Sequence, residues 1–154
     1  FTFFAFMKMP KLNLPEVELK TKLVNGTIQV FDKVRKKYFV LTPEEWVRQN
    51  FINYLNVDLG YPISLLAVEK MVRYNSMKTR ADIVVYNLDG DPFMIVECKS
   101  SSVKITQDVF NQIAKYNTGL KVRYLLITNG LQHFCCKMDY DSNSYNFVEK
   151  IPVF

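Results

Sequence analysis

Three charged residues near the middle of the chain have the types and spacing to hold a divalent cation and move a proton: Asp82, Glu97 and Lys99. They lie in the run RADIVVYNLDGDPFMIVECK, residues 80–99, where two apolar, β-branched stretches flank Asp89-Gly90. That pattern reads as two strands joined by a tight turn. If Asp89-Gly90 is a two-residue turn, counting outwards sets Asp82 opposite Glu97 and Arg80 opposite Lys99. Directly opposed residues have Cβ atoms about 4.5–5.5 Å apart, and like charges there destabilise an ordinary sheet. A divalent cation between the two carboxylates converts that repulsion into binding energy. Hard carboxylate oxygens suit Mg²⁺ or Mn²⁺ rather than zinc, and the backbone carbonyl of Cys98 is a candidate third ligand. Glu97 and Lys99 share a strand face, which sets the lysine beside a metal-bound water or a developing phosphorane charge. The same three charges also suit the solvated face of an amphipathic hairpin whose other face is filled by Val and Ile.

The elements that must position these residues can be read from periodicity and punctuation. Residues 10–26 are polar and interrupted by proline, and they end in Asn25-Gly26, so they read as an arm leading to a turn. Residues 27–32 and 37–41 read as a basic hairpin with Lys33–Lys36 near its tip. Further along, the expected order is a helix over 43–56, strands over 64–74, 80–87 and 93–99, a helix over 106–119, and strands over 122–128, 131–138 and 144–149. Asn129-Gly130 and the stretch 141–143 give two more hairpin turns. The strand–helix–strand unit from Phe93 to Thr128 has the length of a parallel crossover. The expected fold is α/β: a mixed sheet flanked by helices, with a β-hairpin at the N-terminal end. The expected division is an arm over 1–26 and one domain over 27–154.

The first helix opens at Thr42-Pro43-Glu44-Glu45, with Thr42 as N-cap, Pro43 in the first turn and Glu45 placed for a capping box. Capping accounts for Glu45 locally. Glu44 reads as an acid favoured by the helix dipole. Glu69 falls in a strand, where it either approaches the site or, as the favoured reading, forms an ion pair with a nearby lysine. Gln112 and Tyr116 are four apart and share a helix face. Arg80, Lys104 and Arg123 are candidates for phosphate contacts. His133 is the chain's single histidine, too little for a zinc site with Cys135 and Cys136, and no orienting network supports a Cys–His nucleophile.

The chain's 154 residues are enough for one substantial core. Its 49% hydrophobic and 23% charged content is that of an ordinary globular protein. The net charge of +5 is compatible with a polyanionic partner. Three cysteines, an odd number, argue against a disulfide framework and for a reducing, cytoplasmic setting. No apolar run reaches the length of a membrane span. The opening FTFFAFMK is too short for a signal-peptide core, and the native start is expected near Met9, with residues 1–8 foreign to the protein.

An Asp, a turn-length gap and a Glu-x-Lys closing a strand together resemble the PD-(D/E)XK nuclease signature, with Ala81 where the proline of that name would stand. The runs TPEEWVRQ, RADIVVY and PFMIVECKSSSVKITQDVFNQIAKY resemble the N-terminal nuclease domain of type I restriction enzyme R subunits, in a small stand-alone form, from Leu41 to Phe147. Gln112 and Tyr116 are similar to the Gln-x-x-x-Tyr motif of that branch, and Glu45 with Arg48 resembles its first-helix acid pattern. The resemblance implies Mg²⁺-dependent (or Mn²⁺-dependent) hydrolysis of DNA phosphodiesters. Asp82 and Glu97 would bind metal with the Cys98 carbonyl, Lys99 would orient water, and Gln112, Tyr116 and Glu45 would support the site. Restriction-modification subunits or a separate helicase are the implied partners, and homodimerisation is left open. The alternative is a catalytically silent module that keeps the fold and binds nucleic acid or a partner.

Overall fold

The computed structural model describes residues 9–117 and 120–154, with the side chains of Tyr74, Met77 and Tyr116 outside that description. Residues 1–8, for which a foreign origin is expected, lie outside it as well. The last part of the arm is already a strand. Asn25 (φ 49°) and Gly26 (φ 78°) both take left-handed backbone, and two such residues make the hairpin turn whose twist suits its strands. The turn folds β1 (Thr21–Val24) onto β2 (Thr27–Asp32), and β3 (Lys37–Val40) completes a three-stranded antiparallel sheet.

Thr42 caps the first helix, α1 (Pro43–Asn53), by accepting the Glu45 amide at 3.0 Å. The helix runs on through a π turn over Tyr54–Asp58. A mixed sheet of six strands follows in the order β4 (Leu66–Tyr74), β5 (Met77–Tyr86), β6 (Pro92–Cys98), β7 (Tyr124–Thr128), β8 (His133–Asp139) and β9 (Ser144–Val148). Between β6 and β7 lies α2 (Gln107–Asn117), and β6 pairs with β7 in parallel, from Met94 with Tyr124 to Cys98 with Thr128. This is the mixed sheet flanked by helices that the sequence implies. Successive β6 residues face opposite sides: Met94 and Val96 pack with Trp46, Phe51 and Leu55, whereas Ile95 packs with Phe110 and Ala114 of α2. Burial on both faces explains why β6 is a nearly unbroken apolar run.

The β5–β6 turn is longer than two residues. The Asn87 side chain accepts the amides of Asp89 (3.0 Å) and Asp91 (2.9 Å), and the Asn87 amide donates to Asp91 O at 2.9 Å. Tyr86 therefore pairs with Pro92, and a bulge between Val85 and Tyr86 then restores the register, so that Val85 faces Met94 and Ile83 faces Val96. One further step sets Asp82 level with Glu97, the alignment expected from a shorter turn. The β5–β6 ladder ends at Ile83, and on the other side of β5 Arg80 pairs with Met71 of β4.

The arm seals one end of the sheet. Trp46 Nε1 donates to Pro10 O at 2.9 Å, and the Asn13 amide donates to Gly130 O at 2.8 Å. Gly130 has φ 84°, and a Cβ there would lie 2.6 Å from Leu12 Cδ2 and 3.2 Å from Val47 Cγ2. Gly26 has the same sign of φ but open space around it. Gly130→Ala is therefore expected to destabilise the protein by about 1–3 kcal/mol in urea unfolding, and clearly more than Gly26→Ala, which bears the backbone cost alone.

Candidate functional site

The site forms where the regular pleat of β5 breaks. Val68 pairs with Ile83 and Lys70 with Ala81, which leaves Glu69 level with Asp82. Glu69 takes φ 55°, a left-handed conformation that L-residues in a strand adopt only under strain. Ala81 packs on the α2 side of the sheet and Ile83 on the α1 side, although they are two residues apart. Alternation is thus interrupted at Asp82. Its Oδ2 accepts the Cys98 amide at 2.7 Å, which ties the acid to the end of β6.

Glu97 stands against Asp82. Burial, then the Asp82 charge and a carboxyl–carboxylate hydrogen bond with Asp82, push the Glu97 carboxyl up to about 9. The shift favours the protonated form of Glu97 beside the Asp82 carboxylate. Lys99 opposes that shift, and its amide is fixed by Thr128 O at 2.8 Å. Asp82, Glu97 and Lys99 therefore share one end of the sheet.

The charge from α1 is Arg48, whose guanidinium is almost fully buried. Its Nη2 lies 3.2 Å from Glu44 Oε1, 3.1 Å from Glu69 Oε1 and 3.2 Å from Asp82 Oδ1. Its Nη1 bonds Glu45 Oε2. Glu45 also receives Arg35 Nη2 at 2.5 Å and Gln49 Nε2 at 2.9 Å. The Thr42 amide donates to Val40 O rather than to the Glu45 carboxylate, so the reciprocal half of the capping box is replaced by ion pairs. Behind them Asp32, fully buried, accepts Arg35 Nε at 2.7 Å and Gln49 Nε2 at 2.8 Å. Although burial opposes it, hydrogen bonds from Arg35 and Gln49 keep the Asp32 carboxyl below its usual range.

The helix acid that faces the pair is Glu44. Burial first, then the Asp82 charge, raise its carboxyl above the ordinary value, with Arg48 and Lys99 opposing. Glu45 holds Arg48, and Arg48 holds Asp82. Sequence reasoning gave Glu44 a helix-dipole role because the local N-terminal environment already accounts for an acid there. The Asp32–Arg35 contribution escaped it; the signal was the Asp-x-x-Arg spacing at the hairpin tip, a turn pattern in which Asp32 Oδ1 accepts the amides of Val34 and Arg35, both at 2.8 Å. Glu69 does form ion pairs, with arginines rather than a lysine: Arg48, and Arg80 at 2.6 Å. Gln112 is exposed on α2, and the Tyr116 side chain lies outside the described residues.

The remaining nucleophile candidates are occupied or inert. Burial pushes Cys135 and Cys136 to about 12 and Cys98 well above the usual thiol range. His133 bonds Thr128 Oγ1 through Nδ1 (2.6 Å) and Asn13 O through Nε2 (2.8 Å). A carbonyl can only accept, so Nε2 carries the proton, and the ring pins the arm to the β7–β8 corner. No three His, Cys, Asp or Glu side chains among the described residues make a ready-built metal cage. The oxygen donors that converge are the Asp82–Glu97 pair, with Glu44 and Glu69 beside it.

Residues 43–152 match the family model described as the type I restriction enzyme R protein N terminus. The chain belongs to that family. No curated protein matches it significantly. Among solved structures it is similar to a fragment described as an HsdR subunit of a type I restriction enzyme from Vibrio vulnificus YJ016, with 19% identity and a TM-score of 0.49. That alignment covers 73% of this chain and 24% of the other, so the chain spans about a quarter of that relative's length. No described helix of this family member is long and apolar enough to cross a membrane.

Glu97 sets a pH dependence. Its folded value lies above its unfolded one, so the stability it contributes is complete below about 4.5 and is lost as pH rises through about 9. In EDTA, Glu97→Gln should raise the melting temperature at pH 8, and the gap should shrink towards pH 5. A gap that does not change with pH would contradict the buried-acid assignment.

Proposed function

We propose that this domain is a PD-(D/E)XK-type, Mg²⁺- or Mn²⁺-dependent nuclease that hydrolyses DNA phosphodiester bonds. The observation that carries the reading is the partly buried Asp82–Glu97 pair, in which burial and the Asp82 charge raise the Glu97 carboxyl to about 9. Two hard oxygen donors under mutual repulsion fit a divalent cation. When bound, such an ion supplies charge neutralisation at the phosphate and hydroxide near neutral pH.

The chain's own residues have distinct tasks in this reading. Asp82, oriented by the Cys98 amide, and Glu97 would hold the ion, with the Cys98 carbonyl as a further oxygen donor. Glu44 would add negative charge beside them. Lys99 Nζ orients the attacking water and balances negative charge on the phosphoryl oxygens as the transition state develops. Arg48 fixes the carboxylates and is itself held by Glu45. Gln112 and Tyr116 support the DNA backbone from α2. The partners of such a domain would be DNA and the other components of a restriction-modification system, or a separate helicase.

Plasmid and single-stranded DNA incubated with Mg²⁺ or Mn²⁺ test this. Asp82→Ala, Glu97→Ala and Lys99→Ala should each lower cleavage by at least about a hundredfold while circular dichroism stays native. Undiminished cleavage by Lys99→Ala would overturn the mechanism, and DNA binding without any cleavage would favour a silent binding module. Ion binding should also release close to one proton at pH 7, since the Glu97 carboxyl lies near 9 before loading. Calorimetry in buffers of different ionisation enthalpy would read that release, and Glu97→Gln should abolish it.

A further inference from the structure

The three-stranded sheet plays no part in holding the carboxylates beyond the Asp32–Arg35 anchor, yet it carries the chain's charge imbalance. Residues 20–38 contain six Lys or Arg against one Asp, an excess equal to that of the whole protein. The one acid, Asp32, is fully buried and bonded to Arg35. We propose that the outward face of β1–β2–β3 binds an unpaired stretch of nucleic-acid strand, with Phe31 and Tyr38 stacking on bases and Lys20 and Lys22 holding the flanking phosphates.

The register places these residues together. Phe31 pairs directly with Tyr38, and their ring centroids are 5.3 Å apart. Lys22 pairs with Gln29, two residues from Phe31, and the Phe31 amide donates to Lys20 O. Strand alternation puts Lys20, Lys22, Gln29, Phe31 and Tyr38 on one face, and the buried Val30 and Asp32 on the other. Both lysines are exposed, both rings are partly exposed, and the outward positions include no acid. Lys22 Nζ lies 3.9 Å from the Tyr38 ring centroid, and Lys20 Nζ lies 4.9 Å from that of Phe31. The ammonium groups thus rest over the ring faces, where each is within a side-chain rotation of a phosphate beside a stacked base.

The pairing of rings with lysines selects the ligand. A duplex offers its phosphates to the lysines but keeps its bases stacked on one another, whereas an unpaired strand presents base faces to aromatic side chains. An acidic peptide would satisfy the lysines and leave the rings unused. The inference rests on the proposed function for its relevance, because it names the form of strand that reaches the carboxylates. The sheet is tied to them by Asp32, Arg35, Glu45 and Arg48.

Binding is measurable without cleavage. Fluorescence anisotropy of labelled oligo(dT), oligo(U), a duplex and poly-glutamate, with the full chain in EDTA, gives the test. Oligo(dT) or oligo(U) should bind in a salt-dependent manner, and Tyr38→Ala and Lys22→Glu should each weaken that binding about tenfold. Duplex binding should respond to Lys22→Glu and not to Tyr38→Ala. An unpaired-strand affinity indifferent to Tyr38→Ala, or poly-glutamate bound as tightly as oligo(dT), would overturn the proposal. Tyr38→Leu, which keeps apolar bulk and removes the ring, provides the same reading should Tyr38→Ala fail to fold. Unpaired-strand binding in a protein that never cleaves would leave this inference standing and remove the nuclease reading; cleavage with no contribution from Tyr38 or Lys22 would do the reverse.

Discussion

Two carboxyl groups held together in a partly buried site are the constraint around which this structure is arranged. Asp82 and Glu97 reach the same level because β5 and β6 are in register, and they stay there because the Cys98 amide bonds Asp82. Their repulsion is relieved by a proton on Glu97 and by Arg48 reaching across from α1. Glu69 accepts a left-handed backbone at the same level and turns its carboxylate to Arg48 and Arg80. Strain of that kind persists where surrounding interactions over-determine a conformation, and here the surrounding interactions are charges.

The network behind the pair is a chain of alternating sign: Asp32, Arg35, Glu45, Arg48, Asp82. Buried ion pairs of this kind recover little net stability, because desolvating each charge offsets the attraction. What they fix is geometry. Arg35 also packs its guanidinium 3.4 Å from the Phe39 ring centroid, so the chain is anchored in the N-terminal sheet by a cation–π contact as well. Arg48 Nε is buried with no hydrogen-bond partner, which shows that Nη1 and Nη2 set the side chain's placement.

Much of this was legible in the sequence because the decisive patterns are local. Alternation in residues 80–99, the Thr-Pro-Glu-Glu helix start and the strand–helix–strand length each specify an element with few alternatives. The level of Asp82 and Glu97 came out as expected although the turn did not, since the bulge at Val85–Tyr86 compensates for the longer loop. Long-range charge pairing was not legible. Whether Glu44 or Glu45 faces the acid pair depends on the rotation of α1 about its axis, and Arg35 decides that by claiming Glu45 from another sheet. The strand at Thr21–Val24 was hidden by its shortness and its outward-facing Lys22, although Asn25-Gly26 announced the turn.

Arg48 and a bound cation would not compete on equal terms for the carboxylates. The proton on Glu97 is readily exchanged, and a divalent ion can displace it at modest cost near neutral pH. Arg48 cannot leave as easily, because Glu45 holds Nη1 and Arg35 and Gln49 hold Glu45. Moving it would strand a buried carboxylate, a cost of several kcal/mol by the usual order of magnitude for a broken buried pair, about 3–5 kcal/mol. A guanidinium that stays would also withdraw charge from Asp82, weakening its grip on the ion.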